Sequence, residues 1–314
     1  MTLVYPDYYN DFRCIADKCR HSCCIGWEID IDEESLDFYS KTQGDFGKKL
    51  EENISFEGSP HFILGKDERC PFLNSKNLCD IYTNLGEDRL CSICSEHPRF
   101  YNEFDTHTEG GLGLCCEEAA RIIITKKEPV RLINLPDVSD DFVLSTREEL
   151  LKIFQNRNSA LEERINKASE FSETKLGFEI SSAINLPASE ICELFKGLER
   201  LDESWTDYLN LLSTADISPK ITEFEDELEN FITYLLIRHL PKAEFSEDIP
   251  ALLSLCIISC RLVSMIFSAV ISEKGSIDLD ERLEIFRLFS SEIEYSDENI
   301  DEIFTCILNI ISEI

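Results

Sequence analysis

Ten of the chain's 14 cysteines lie before residue 117, and four fall inside the eleven-residue stretch "CIADKCRHSCC", Cys14 to Cys24. The full spacing is C-x4-C-x3-C-C, then Cys70-x8-Cys79, Cys91-x2-Cys94 and Cys115-Cys116. Thiolates are soft ligands for Zn²⁺ and for iron–sulfur clusters, and either kind of centre takes about four of them. Ten thiols are enough for two such sites. Close spacing lets one turn of chain bring two sulfurs to one centre at a small loop-closure cost. Buried free thiols are the competing account, and four cysteines in eleven residues argue against it. The choice of metal stays open on the residues alone. The spacing matches neither the C-x2-C…C-x2-C zinc ribbon nor the C-x2-C-x2-C-x3-C ferredoxin run. Cys19-x3-Cys23 begins the C-x3-C-x2-C loop of radical enzymes, but position 26 is Gly. Neighbouring side chains diverge, so Cys23 and Cys24 are expected to serve different centres, or one to ligate while the other packs.

The elements that must hold these thiols are short. Through about residue 125 turn residues recur at close intervals. "WEIDID" alternates, which puts Trp27, Ile29 and Ile31 on one side of an extended segment. Asp32 is placed to cap a helix over "EESLDFYSKT". "GDFGKKLEENISF" and "EGSPHFILGKDERC" read as loop or weak strand. "GLCCEEAARIIITKK" reads as a helix that ends as a strand. From Ser139 the period becomes helical, and about six helices follow, one entered through Pro187 and broken in its middle, another stopped by Pro241. The expected fold is mainly α: a Cys-rich metal-binding head of short strands and loops over residues 1–125, packed on a helical bundle over residues 139–314. Cys192, Cys256, Cys260 and Cys306 are scattered through apolar helical sequence and read as small core residues. Cys256 and Cys260 share a helix face, but no third ligand is near them in sequence.

Composition narrows the function. The 314 residues are 43% hydrophobic and 29% charged, ordinary for a globular protein, and the net charge is −32. The chain is acidic on both sides of residue 125, so it lacks the clustered Lys and Arg that a phosphate backbone requires, and nucleic acid is not an expected partner. The acidic surface favours solubility over capture of a basic partner. "MTLVYPDYYNDF" has neither the basic nor the apolar region of a signal peptide, so a cytoplasmic location and reduced thiols are expected. Ala251 to Ser272 is long enough to span a bilayer, but Arg261 at its centre would cost roughly 3 kcal/mol on insertion scales. A buried helix, with no membrane partner, is the better reading.

Two segments, "FRCIADKCRHSCCIGWEIDID" and "CPFLNSKNLCDIYTNLGEDRLCSICSEHPRF", carry a resemblance. With Gly26-Trp27, Asp30 and Asp32, Leu85-Gly86, Pro98-Arg99 and the later "CCEEAAR", they resemble the flagellin lysine N-methylases, within the wider zinc- or iron-chelating CxxCxxCC group. "NFITYLLIRHL", ending in Arg238 and His239, is similar to that family's aromatic-rich helix. The resemblance spans most of the chain and is specific in the first 120 residues. It implies methyl transfer from S-adenosylmethionine to lysine ε-amines of flagellin, and a cysteine-bound centre, a [4Fe–4S] cluster in preference to zinc. Carried residue by residue, the family's cysteines fall on Cys14, Cys19, Cys23, Cys24, Cys70, Cys79, Cys94 and Cys116. Cys91 and Cys115 are extra to that pattern, as substitute ligands or as packing residues.

Lysine methylation needs a neutral amine, a methyl donor held in line and a destination for the proton. Tyr82, Glu96, Arg99 and Tyr101 are the candidate catalytic residues, with Asp30 and Asp32 as further carboxylates; each by itself equally suits a solvated surface or a cap. Arg99 could bind the carboxylate of the donor. His97 and His107 could ligate metal, though lone histidines usually do not. A doubly wound donor-binding sheet is not legible. The glycines of "EGGLGLCCEE", Gly111 and Gly113 among them, stand before a helix and are the candidate cofactor contacts, although no clean apolar strand precedes them. The donor could instead sit beside a cluster that has three cysteine ligands and an open iron. Two other accounts compete: a non-catalytic zinc-binding helical adaptor, and a redox protein cycling Cys91-x2-Cys94, for which the βαβ context is missing.

Overall fold

The computed structural model describes residues 1–312. The chain forms two compact units, one of Arg13–Phe100 and one in which Met1–Phe12 joins the chain from Tyr101 onward. Strand β1 (Thr2–Pro6) opens the second of these, and the chain then enters the cysteine-rich unit.

In the Arg13–Phe100 unit, helix α1 (Glu33–Lys41) starts where the sequence places it: the Asp32 carboxylate accepts from Ser35 N at 2.9 Å. Helix α2 (Gly44–Glu52) follows, where a loop or weak strand is expected. Two glycines and two lysines around only Phe46 and Leu50 hide its period. Gly47 shows why they are there: a Cβ on it would stand 2.0 Å from the Thr42 carbonyl oxygen, so only glycine lets α2 leave α1 this tightly. A short antiparallel pair, β2 (Ile54–Ser55) and β3 (His61–Phe62), and helices α3 (Asp80–Leu85) and α4 (Ser92–Glu96) complete the unit. The "WEIDID" alternation holds, with Ile29 and Ile31 buried and Glu28 and Asp30 exposed. Their backbone is bound by Phe62 N donating to Ile29 O and Ile31 N to Pro60 O, not by a regular strand. Phe62 and Phe72 meet edge to face at 4.9 Å in the core between them.

The other unit is built on a four-stranded sheet in the order β4-β5-β1-β6, with β4 (Arg99–Glu103), β5 (His107–Leu112) and β6 (Leu132–Ile133). β5 is parallel to β1, and β6 is antiparallel to it. β5 runs directly into α5 (Glu117–Ile124), so a strand does precede "GLCCEE". Its glycines concealed it: Gly110 is where the Tyr101 ring and Leu3 would come within 3.2 and 3.3 Å of an added Cβ. The segment also ends as helix, not strand, because Ala119, Ala120, Ile123 and Ile124 bury one helical face.

Nine helices follow among the described residues, where about six are expected: α6 (Phe142–Phe154), α7 (Leu161–Phe171), α8 (Ser181–Ile184), α9 (Ala188–Gly197), α10 (Glu203–Thr214), α11 (Glu225–His239), α12 (Asp248–Lys274), α13 (Leu279–Phe289) and α14 (Asp297–Ser312). α8 is too short to show a period, and Asp202 caps a fresh start for α10 after the break. α12 is long and apolar enough to cross a membrane, but 89% of its apolar window is buried inside the protein. Arg261 at its centre is 2% exposed and is neutralised by Glu162 of α7 at 3.1 Å, with the Pro219 carbonyl accepting at 2.9 Å. Cys192, Cys256 and Cys260 are core residues as expected, whereas Cys306 is only half-buried on α14.

Candidate metal centre and the residues around it

Five thiols of the Arg13–Phe100 unit, those of Cys24, Cys70, Cys79, Cys91 and Cys94, pack in one apolar cluster with Ile29, Tyr39, Phe62 and Phe72. Backbone chemistry brings them there. Cys70 N donates to Cys24 O at 2.9 Å, which ties the first cysteine cluster to the second. "CPFLNSKNLC" closes into a small knuckle. Leu73 N donates to Cys70 O, Leu73 bridges to Cys79, and the Asn74 side chain accepts from Lys76 N and Leu78 N. Asn77 takes a positive φ at its tip, and the Arg69 guanidinium braces it through Leu73 O, Asn74 O and Asn77 Oδ1. Cys91 precedes α4, and one turn later Cys94 N donates to Cys91 O at 3.0 Å. Asp32 locks that turn: the carboxylate that caps α1 also accepts from Ser92 N at 2.7 Å. Burial raises the Asp32 pKa, but the Ser92 and Ser35 donors outweigh it and hold the carboxyl at about 2.

The thiols feel one another. The hydrogen bond from Cys23, opposed by burial and assisted by Ser22 and Arg69, holds Cys24 down at about 7. Cys91 and Cys94 share a hydrogen bond that lowers Cys91 and raises Cys94. Burial pushes Cys70 up to about 12 and also raises Cys79, and the charge on Cys24 adds to both. Cys70, Cys79 and Cys94 are the thiols held up, and a cation among the sulfurs is what would ionise them. Among the described residues no three Cys, His, Asp or Glu side chains already stand at coordinating separation. The donor set, soft sulfurs gathered in a largely buried apolar cluster, fits a thiolate-bound zinc ion or iron–sulfur cluster.

The other expected residues fall in different places. Cys14 is exposed and accepts from Ala16 N, and the Cys19 thiol donates to His21 O at 3.2 Å. Cys23 and Cys24 sit in a turn, and the Cys23 thiol interacts with that of Cys24. Cys116 belongs to the other unit, directly before α5. Its neighbour Cys115 is pushed up to about 11 by burial against a hydrogen bond from Tyr295. Tyr82 on α3 is 49% exposed, and Glu96 is exposed at the end of α4. Arg99 reaches back towards Ser95 O at 3.5 Å. Tyr101 lies on β4 in the other unit, its hydroxyl 3.2 Å from that of Tyr9. Gly111 and Gly113 are buried at the end of β5 and beyond it, beside Leu114, whose N–H donates to the Tyr234 hydroxyl. Asp30 is exposed. His97 packs near Trp27 at 6.2 Å, and burial lowers it to about 4, so it is neutral at pH 7. His107 is buried between Thr106 and Glu109, and Glu109 is clamped by Arg147.

A second polar constellation was only half legible. Arg238 and His239, at the end of α11, both bind Glu294, at 3.2 and 2.8 Å. The Tyr234 hydroxyl donates to the same carboxylate at 2.9 Å and accepts from Arg238 at 3.0 Å. Tyr295 lies under the Arg238 guanidinium at 4.8 Å. Glu294 and Tyr295 come from a π-helical turn, Ser290–Glu294, that ends α13. Nothing in the sequence marks such a turn, so the pairing of these two residues with Arg238 is not legible there; π turns recur at functional sites.

A family model described as "FliB lysine N-methylase C-terminal domain" matches residues 112–310. The chain belongs to this family. A second model, "Putative zinc- or iron-chelating domain", matches residues 13–111, the stretch that contains the five thiols. Among curated relatives of this FliB-family chain, a lysine-N-methylase of Salmonella typhimurium strain LT2 is 23% identical over 172 residues, 49% of this chain and 41% of that protein. A lysine-N-methylase of Salmonella choleraesuis strain SC-B67 is 25% identical over 168 residues, with the same two shares. A flagellar biosynthetic protein FliU of Salmonella muenchen is 24% identical over 139 residues, 42% of this chain and 82% of that protein. The chain thus spans less than half the length of the two methylases. No solved structure matches.

Proposed function

We propose that this protein is a lysine N-methylase of flagellin that acts in the cytoplasm with S-adenosylmethionine as donor and carries a cysteine-ligated centre, a [4Fe–4S] cluster in preference to zinc. The observation that supports it most is the gathering of five thiols within a chain of the FliB family. Bound there, a cluster with one iron lacking a cysteine ligand would supply a Lewis acid able to bind the amino and carboxylate groups of the donor. The protein's own part is to hold that centre in an apolar pocket and to handle the substrate proton. Glu96, exposed at the end of α4, is the candidate acceptor for a proton leaving a lysine ammonium. Arg99, half-buried on β4, has the forked guanidinium that suits the donor carboxylate.

Co-expression with flagellin, followed by intact-mass measurement of the flagellin, tests the reading. Added methyl masses on lysine that vanish with the Cys70→Ser variant are the expected result. Flagellin of unmodified mass beside metal-loaded wild-type protein would overturn it.

A further inference from the structure

Building on the metal-centre reading above, we infer that Cys91 is a metal ligand in this chain, that Cys91 and Cys94 form one chelating arm of the centre with its remaining one or two sulfurs drawn from Cys24, Cys70 and Cys79, and that Cys14 and Cys19 take no part. The family pattern passes over Cys91 and includes Cys14 and Cys19, so the structure redistributes the ligands.

Three observations carry this. Cys91 is 1% exposed and sits in the same cluster as Cys70, with Tyr39 and Phe72 excluding water around both. Cys94 lies one turn along the chain, its N–H donating to Cys91 O at 3.0 Å, and its thiol interacts with that of Cys91, so the turn keeps the two sulfurs close together. C-x2-C pairs serve metal sites for this reason: one tight turn aims both sulfurs the same way, and little chain entropy is lost on closure. The turn is also braced from outside, since the Asp32 carboxylate holds Ser92 N at 2.7 Å while capping α1. A ligand pair fixed by its scaffold before metal arrives binds with less reorganisation. Cys14 and Cys19, by contrast, are engaged with their own local backbone on an exposed or half-exposed loop.

The test is the content of iron, acid-labile sulfide and zinc per chain, with the thiolate-to-metal charge-transfer absorption, in anaerobically purified full-length protein. The Cys91→Ser variant is expected to hold less than half the wild-type metal or to show a shifted charge-transfer spectrum, while the Cys14→Ser/Cys19→Ser double variant matches wild type in both. Wild-type metal content and spectrum in Cys91→Ser, or loss of metal in the double variant, would overturn the inference. Should Cys91→Ser fail to fold by circular dichroism, a variant with serine at positions 14, 19, 23, 115 and 116 decides the matter. It retains the five clustered thiols and must keep the metal; its loss refutes the assignment. A wild-type chain that binds neither iron nor zinc refutes it too. Flagellin that stays unmethylated despite a centre held through Cys91 counts against the proposed activity and not against this ligand set.

Discussion

Removing the Glu294 carboxylate should destabilise the helical unit by about 3–5 kcal/mol at pH 7. The carboxylate is buried and serves three donors: Arg238 Nε at 3.2 Å, His239 Nε2 at 2.8 Å and the Tyr234 hydroxyl at 2.9 Å. Taking one partner from a buried ion pair leaves the other charge unpaired in low dielectric, which costs about 3–5 kcal/mol. Proton linkage gives a comparable figure independently. Burial pushes the Glu294 pKa up, but the Arg238 charge and the His239 hydrogen bond prevail and hold it at about 2, against an ordinary 4.5. At about 1.4 kcal/mol per unit, that depression is worth about 3 kcal/mol. Because the folded value is the lower one, this stability is complete above the ordinary carboxylate range and is lost as pH falls towards 2. Urea unfolding followed by far-ultraviolet circular dichroism reads it directly. Glu294→Ala should lower the unfolding free energy by the stated amount at pH 7, and its gap from wild type should narrow as pH approaches 2. Glu294→Leu combined with Arg238→Met should recover most of the loss, since a well-packed apolar pair can replace a buried ion pair. A loss below about 1 kcal/mol for Glu294→Ala at pH 7, or a gap that does not change with pH, would show that the network is not held by this charge.

Asp32→Ala removes the cap of α1 and the tie to Ser92 together, so the Arg13–Phe100 unit should lose about 2 kcal/mol, at about 1 per cap. Asp32→Asn should retain most of it, and amide exchange in α1 and α4 reports the difference; equal protection in all three proteins would contradict the double role. Stripping the metal with a chelator under reducing conditions should speed amide exchange across residues 13–100 and leave the buried turns of α11 and α12 protected, because metal-binding free energy in a small thiol-rich unit is folding free energy. Unchanged exchange in the cysteine-rich unit would remove the thiols from any structural role.

Much of this protein can be read from one dimension. Cysteine spacing marks a soft-metal site because four thiols in eleven residues have few other uses. Asp32 marks the start of α1, and the apolar periods of α6, α11 and α13 mark their buried faces, since caps and 3.6-residue periodicity are local. Arg261 argues against a membrane span by charge alone, but its partner, Glu162, is 99 positions away and visible only in the fold. The hidden features share that non-local origin. Gly47 and Gly110 read as breakers until the neighbouring Thr42 carbonyl and Tyr101 ring explain them. Glu294 and Tyr295 gain meaning only when a π turn carries them to Arg238. Which thiols gather was equally beyond spacing. In the linear pattern Cys14 has a family position and Cys91 stands outside it as a substitute ligand or a packing residue, yet the Cys24–Cys70 backbone hydrogen bond and the Asp32–Ser92 tie go with a buried Cys91 and an exposed Cys14. Residue type decides what chemistry a chain can do; tertiary contacts, made by hydrogen bonds between segments far apart in sequence, decide which copies of a residue are present to do it.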